Sequence, residues 1–259
     1  MIITINQLSL IVRNTIKSIY QTKVLFNIAI IAAVLMAATF IATKFTYGVP
    51  QKVAIDIGLG LLTISSLGIA LSLGVGLLAD EIQNRTLYVV LARAVSRHTF
   101  LWGKFIGLSI ILMLNVAILG MVTCAINLFL GGEVNTIILF AILFIFLEAW
   151  LLLSLTIFIS LIASRSITIM ITISIWVAGH SVDSAMQTLF SKHSPLINTI
   201  LNLYKLIFPN FYKLNLKDYV IYQQELSGQF YLNGICYALV YGTLLMIFSG
   251  IIFNRKNFD

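Results

Sequence analysis

The sequence predicts an all-α integral membrane protein with six transmembrane helices, an N-terminal interfacial helix and a cytoplasmic helix between spans two and three. Of its 259 residues, 60% are hydrophobic and 10% are charged, and the mean hydropathy is +1.03. A soluble domain does not have this composition. Apolar windows of about 20 residues also recur along the chain, the length that crosses a bilayer core about 30 Å thick.

No stretch between the windows has the character of a soluble domain, so residues 1–259 are predicted to form one transmembrane domain. The windows cover residues 24–43, 57–78, 105–130, 136–163, 167–190 and 232–253. The first 23 residues lack a continuous apolar stretch with a small-residue cleavage site. We therefore expect the start of the chain to be retained.

The N-terminal segment 5–20 has helical periodicity. Its apolar residues recur at spacings of three and four, while Gln7, Arg13 and Lys17 take other faces. This pattern predicts an amphipathic helix lying in the membrane interface. The alternative is a cytoplasmic extension of the first span.

The basic residues are scattered between the spans and form no patch with interleaved aromatic side chains, so despite the net charge of +7 no nucleic-acid partner is expected. With six spans, both termini share one side. Cytoplasmic termini place ten of the 16 basic residues inside, in agreement with the positive-inside rule. We expect a multi-pass protein of a cell membrane, either a bacterial inner membrane or a plasma membrane.

Small residues form a stripe along span two, where Gly68, Ser72 and Gly76 follow one another at intervals of four. Such a stripe allows close helix packing, either within the chain or between subunits.

Spans four and five contain the polar residues that are candidates for an intramembrane site. Glu148 lies near the middle of span four, where a carboxylate is costly, and it is either a substrate contact, a proton carrier or a packing residue. In span five, His180 and Asp183 share a helix face. They would pair as a structural lock or serve a proton or metal site, but the sequence offers no further ligands for a metal.

Six fixed charges fall between residues 77 and 107. Leu87 and Leu91 belong to an apolar face with helical spacing, and Glu81 precedes Arg85 by four residues, the favourable order for a helical ion pair. The pattern predicts a cytoplasmic amphipathic helix. The alternative is a loop that only fixes the topology.

This stretch resembles the type-2 permease family of ATP-binding-cassette exporters, in which an E-x-x-x-x-T-L segment precedes a coupling helix that ends near P-V-S-R. The matching residues, with Ala94 in place of the proline, are Glu81, Arg85, Thr86, Leu87, Val95, Ser96, Arg97, Phe100, Gly103 and Lys104. The segment PNFYKLNLKDYVIY and the end FNRKNF are similar to a branch linked to multicopper-enzyme maturation.

The resemblance implies a permease subunit that forms the substrate pathway of an exporter and has no catalytic residues. Its partners would be a cytoplasmic ATPase subunit, a second permease copy or homologue, and the lipid bilayer. The coupling helix would dock on the ATPase through Glu81, Arg85, Thr86, Leu87, Leu91 and Arg97. ATP and Mg²⁺ would bind in the ATPase, since this chain has no G-x-x-x-x-G-K-[ST] loop and no expected cofactor.

Two other classes remain as alternatives. An ion-coupled secondary transporter would use Glu148, with the His180 and Asp183 region, but the inverted repeats of many such carriers are not visible. A membrane enzyme would need a nucleophile, a base and an orienting group. Ser181 and its neighbours His180 and Asp183 lie on one helix and do not reach triad geometry.

Overall fold

The computed structural model describes most of the chain, and its described elements are all helical. It covers residues 9–17, 24–45, 49–83, 96–187, 195–222, 224 and 226–255. Within these ranges only the backbone is described for residues 24–29, 43–45, 78–83, 184, 186, 187, 195–198 and 206.

Nine α-helices and one 3₁₀ helix, Phe211–Leu214, are described. The α-helices are α1 (residues 9–17), α2 (Val24–Phe45), α3 (Pro50–Gln83), α4 (Arg97–Phe129), α5 (Thr136–Ser160), α6 (Arg165–Gln187), α7 (Pro195–Ile207), α8 (Lys217–Ile221) and α9 (Gly228–Arg255). The predicted all-helical class is thereby confirmed for the described residues.

Five described segments are long and apolar enough to cross a membrane, which agrees with a multi-pass membrane protein. They are Pro50–Leu77, Arg97–Phe129, Thr136–Ser160, Arg165–Asp183 and Gly228–Arg255. Helix α2 contributes a shorter described apolar stretch, Ile30–Ala42, within its 22 residues.

Two helices begin well before the apolar windows that predicted them. Helix α3 starts at Pro50 and α4 at Arg97, whereas the windows start at residues 57 and 105. Proline suits a first helical position because its missing N–H has no partner there in any case. Ser96 caps α4, and its side chain accepts a hydrogen bond from the backbone N–H of Thr99 at 3.1 Å. Hydropathy detects only the apolar part of such helices, so it misses these polar first turns.

Helix α5 is the centre of the bundle and packs against α3, α4, α6 and α9. It is apolar on all sides, as expected for a helix surrounded by other helices. Close approach to α3 occurs at Gly74, where an added Cβ would lie 2.7 Å from Thr156 Cβ. Gly58 of α3 lies directly against Thr123 of α4. Helix α3 is therefore a shared wall between α4 and α5.

The small-residue stripe of span two is not used in packing around Gly68. An added Cβ on Gly68 would meet nothing within 4 Å, and Ser72 is exposed. Within the described residues, the stripe thus faces away from the chain at these two positions. The close packing of α3 uses Gly58 and Gly74 instead.

Helix α1 packs on α4 over two glycines spaced four residues apart. Added Cβ atoms on Gly103 and Gly107 would lie 2.8 Å from Ile11 Cγ2 and from Thr15 Cβ, respectively. Thr15 is buried, and its Oγ1 donates a hydrogen bond to the Ile11 carbonyl at 2.8 Å. The amphipathic helix therefore has a protein partner as well as an apolar face.

Candidate functional site

Glu148 is the centre of the candidate site. It lies at the midpoint of the 25-residue helix α5 and is 2% exposed. A carboxylate at this depth in a membrane costs about 2.5–3.5 kcal/mol on insertion scales unless it finds partners.

Two donors from α6 reach the same oxygen of Glu148. The indole Nε1 of Trp176 donates to Oε1 at 2.7 Å, and Nε2 of His180 lies 2.8 Å from that atom. A carboxylate only accepts, so Nε2 is the donor in this pair when Glu148 is ionised. Trp176 and His180 are four residues apart on α6, which brings both side chains to one face.

The His180 ring is fixed by aromatic neighbours on both sides. Trp176 meets it edge-on with ring centroids 4.9 Å apart, and Phe211 stacks on it at 6.1 Å. Phe211 is fully buried and belongs to the 3₁₀ helix. The orientation of His180 therefore depends on the segment that follows α7.

Oxygen Oε2 of Glu148 receives no hydrogen bond from the described residues. Oε2 is not sealed from solvent, since it is not one of the described polar atoms that are fully buried without a partner. Glu148 lines a cavity of about 290 Å³ between α3, α5, α6 and the segment 214–217, which we name the Glu148 cavity. Oε2 is therefore the acceptor that the site offers to a ligand.

The lining of the Glu148 cavity is mainly apolar. Its apolar members are Leu59, Ile64, Ala141, Ile145, Leu214 and Leu216. Thr63, Asn215 and Lys217 add polar atoms. A mostly apolar cavity with few polar groups is the usual composition of a small-molecule site.

Lys217 at the cavity wall is paired across to α3. Its Nζ lies 2.7 Å from Oδ1 of Asp56, and both side chains are well exposed. Exposed pairs contribute about 0–1 kcal/mol, so this contact orients more than it stabilises. It joins α3 to α8, beside the cavity.

The expected lock between His180 and Asp183 is not formed. His180 binds Glu148, whereas Asp183 forms an ion pair with Lys205 of α7 and accepts a hydrogen bond from Asn210 Nδ2 at 2.7 Å. Residues three apart on a helix are neighbours, but each side chain here turns toward a different packed element. Asp183 thus holds the segment after α6 and does not line the cavity.

Tyr204 adds a second tie between α7 and α6. Its hydroxyl donates to the carbonyl of Ile175 at 3.0 Å. Burial raises the pKa of Tyr204, and the nearby Tyr237 raises it further by a smaller amount. The phenol therefore stays protonated and donates its hydrogen bond at neutral pH. Together with Asp183, it fixes α7 and the 3₁₀ helix that supports His180.

The described residues contain no group of three or more His, Cys, Asp or Glu side chains arranged to hold a metal ion. The polar groups at the Glu148 cavity are one carboxylate, one imidazole, one indole and the side chains of Thr63, Asn215 and Lys217.

Most of the predicted coupling residues lie outside the described residues. Arg85, Thr86, Leu87 and Leu91 fall in the gap between residues 83 and 96, and for Glu81 only the backbone, in α3, is described. Their predicted role remains a prediction. Arg97 is described, and it is the first residue of α4.

Arg97 and His98 contact the C-terminal end of α9. Arg97 Nη1 donates to the carbonyls of Phe253 and Asn254 at 3.2 and 3.1 Å, and His98 Nε2 pairs with the Asn254 side-chain amide. A cation at a helix C-terminus satisfies carbonyls that have no partner within the helix. The Ser96-Arg97 motif thus has roles inside the chain: Ser96 caps α4 and Arg97 caps α9.

Aromatic and glycine contacts complete this arrangement. Phe100 and Phe253 stack with ring centroids 6.3 Å apart, and an added Cβ on Gly250 would lie 2.8 Å from His98 Nδ1. We name the contacts among α1, the start of α4 and the end of α9 the terminal cluster. Its residues are Ile11, Thr15, Arg97, His98, Phe100, Gly103, Gly107, Gly250, Phe253 and Asn254.

Sequence reasoning identified Glu148 and His180 but missed Trp176, Lys217 and Asp56. For Trp176 a signal was present, because it precedes His180 by four residues on the same helix face. For Lys217 and Asp56 none was, since they are far apart in the chain and meet only through the fold.

Comparison with known proteins places the chain in a family but gives it no function. No curated protein matches it. A family model described as "Protein of unknown function (DUF2705)" matches residues 59–258, which include the Glu148 cavity and most of the terminal cluster. The chain therefore belongs to the DUF2705 family.

Proposed function

We propose that this chain is the transmembrane subunit of an ATP-driven transporter, an exporter that works with a separate ATPase. The transport part rests on one observation: Glu148 is buried at mid-helix and lines a mainly apolar cavity, and its Oε2 accepts no hydrogen bond from the described residues. Intramembrane carboxylates usually mark a substrate or ion pathway. The ATPase part rests on the resemblance of residues 81–104 to type-2 permeases.

The proposed layout has six spans, with α2 as the first and both termini in the cytoplasm. The 22 residues of α2 reach about 33 Å at 1.5 Å per residue, enough for a bilayer core. In this orientation the terminal cluster lies at the cytoplasmic face, and α8 lies at the outer one. The Glu148 cavity then extends from mid-membrane toward the outside.

Helices α3 and α4 connect the coupling segment to the Glu148 cavity and the terminal cluster. Helix α3 ends and α4 begins at the segment 84–95, which would contain the coupling helix, and α3 carries Leu59 and Thr63 of the cavity wall. A shift of the coupling helix on ATP binding would pass to the cavity along α3. On the other side, α4 is fixed to α1 and α9 by the terminal cluster, so these helices would move together.

The energy source would lie in the partner, which binds ATP and Mg²⁺. Two permease copies, or this chain and a homologue, would sit on two ATPase subunits.

The test is nucleotide binding and hydrolysis by the purified components. The isolated chain is expected to bind no ATP because it lacks the phosphate loop. Co-expression with its ATPase should give a complex whose hydrolysis depends on the phosphate-loop lysine of the partner. Stoichiometric ATP binding by the isolated chain would contradict the proposal.

An ion-coupled secondary transporter is the second candidate, and the contact between Glu148 and His180 favours it. Two titratable groups in contact are a common element of proton relays in membranes. Transport in vesicles separates the candidates. An ATP-driven exporter keeps working when the proton gradient is dissipated and stops when ATP is depleted, whereas a secondary transporter behaves in the opposite way.

A further inference from the structure

The distribution of charge in the Glu148 cavity selects one kind of ligand. Lys217 is the only lysine or arginine among the described lining residues, and Asp56 already pairs with it at 2.7 Å. His180 reaches only Oε1, so Oε2 of Glu148 stays available in either protonation state of the imidazole. Oε2, which accepts no hydrogen bond from the described residues, therefore favours a ligand with a hydrogen-bond donor, whereas the Glu148 carboxylate would repel an anion.

The aromatic wall supports a cationic donor. Trp176 lines the cavity and also binds Glu148, so an indole and a carboxylate face the same space. Carboxylates form strong charge-assisted hydrogen bonds with ammonium groups, and tryptophan attracts organic cations through its ring. A primary ammonium group would donate a hydrogen bond to the Glu148 carboxylate and also be attracted by the ring of Trp176.

The shape of the cavity indicates how the rest of the ligand is placed. A volume of about 290 Å³ is at the lower end of the range for small-molecule sites, so it suits the head of a ligand and not a large molecule. Ile64 lines the cavity and is also 68% exposed on the outer surface of α3. In a membrane that surface faces lipid, and the cavity thus opens sideways to the bilayer.

We propose that the Glu148 cavity binds the primary ammonium head of an amphipathic molecule that enters from the bilayer past Ile64. This proposal rests on the proposed transport function and names its substrate class. The ammonium group donates to Oε2, the adjoining carbons contact Leu59 and Ile145, and the tail remains among the lipid chains.

The test is equilibrium dialysis of radiolabelled decylamine against the full chain in phosphatidylcholine nanodiscs. Empty nanodiscs correct for partitioning into lipid. Decanol and decanoate have the same chain length without the ammonium group. Decylamine should bind at least about tenfold tighter than either, because a charge-assisted hydrogen bond contributes that much or more. Equal affinity for decylamine and decanol would overturn the proposal.

Glu148→Gln keeps the size of the side chain and removes its charge. It should weaken decylamine binding at least about tenfold and leave decanol binding unchanged, which also shows that the cavity is intact. Glu133→Gln is the matched control, because Glu133 is exposed in the loop between α4 and α5. Unchanged decylamine binding by Glu148→Gln would overturn the proposal.

Ile64→Trp provides a test that does not depend on Glu148. The position is exposed, so the larger ring should not disturb the fold, but it should obstruct the lateral opening. Slower entry of decylamine is expected. Unchanged entry kinetics would exclude the lateral route.

A further probe, lysophosphatidylethanolamine, distinguishes a lipid headgroup from a free amine as the source of the ammonium group. Its binding in a Glu148-dependent manner would indicate a lipid substrate, whereas binding of decylamine alone would indicate a free amphipathic amine.

Failure of the amine site and failure of the transporter function give different results. A complex with an ATPase but no preference for amines would overturn the amine site alone. Glu148-dependent amine binding without any ATPase partner would overturn the ATP-driven function and leave the amine site standing.

Discussion

The Glu148 cavity and the terminal cluster are built in opposite ways. The cavity leaves space around a buried carboxylate, and one oxygen of that carboxylate has no partner among the described residues. The terminal cluster leaves no space: glycines of α4 and α9 lie against Ile11, Thr15 and His98.

This difference separates recognition from transmission. A binding site needs vacant volume and an unsatisfied group, whereas a segment that passes on movement needs rigid contacts. In the proposed transporter, the cavity selects the substrate and the cluster makes α1, α4 and α9 move as one. Changes in the cavity should therefore alter substrate affinity, and changes in the cluster should alter coupling and stability.

The largest effect is expected for Glu148→Gln on transport. Loss of the charge removes an interaction worth about 1.5–3 kcal/mol, so transport at low substrate concentration should fall by roughly 10- to 150-fold. Insertion should be retained, because the amide still accepts from Trp176. Uptake into inverted vesicles measures the effect, with Glu133→Gln as the control. Wild-type transport by the Glu148 variant would exclude the cavity as the substrate site.

The next largest effect is expected for Gly107→Leu in the terminal cluster. The new side chain would collide with Thr15 and displace α1, and overpacking of this kind costs about 1–3 kcal/mol. Thermal unfolding in detergent measures the loss. Gly68→Leu is the matched control, because an added side chain there meets open space. Equal stability of the two variants would mean that α1 does not pack on α4.

A smaller effect is expected for Arg97→Gln. The variant loses the cation at the C-terminus of α9, an interaction of about 0.3–1 kcal/mol. If the cluster transmits movement, ATP hydrolysis by the complex should also respond less to substrate. Arg13→Gln, at an exposed position of α1, should change neither quantity. If the two variants show the same stability and the same hydrolysis response, Arg97 does not contribute to the function of the terminal cluster.

The smallest effect is expected for Asp56→Asn beside the cavity. Asp56 and Lys217 are exposed, so breaking their pair should cost less than about 1 kcal/mol and should diminish further at high salt. Denaturation at low and high ionic strength measures this. A loss of several kcal/mol would show that the pair is a structural element and not a surface contact.

The helices were predictable because composition and window length report directly on membrane spans. Each of the five described candidate spans overlaps a predicted window. The start of α4 was not predicted, because hydropathy does not detect its polar first turn. The capping of α9 by Arg97 depends on a contact between residues more than 150 positions apart in the sequence.

The site was predictable only in part, for a similar reason. Glu148 stands out because an acid inside an apolar window is unusual. The partner of His180 was predicted wrongly. The sequence suggested Asp183, on the same helix, but His180 contacts Glu148 of α5. Helical spacing shows which residues share a face and does not show which helix that face meets.

Cross-linking at position 91 tests the central claim, coupling to a separate ATPase, most directly. Leu91→Cys, labelled with a photoactivatable thiol reagent in native membranes, should attach to a chain that contains a G-x-x-x-x-G-K-[ST] loop, and the isolated complex should hydrolyse ATP. Charge reversal at Glu81 or Arg85 should weaken the attachment without loss of the membrane spans. The contrary result is no ATPase at position 91, with unchanged transport in both charge-reversal variants; the segment 84–95 would then only set the topology.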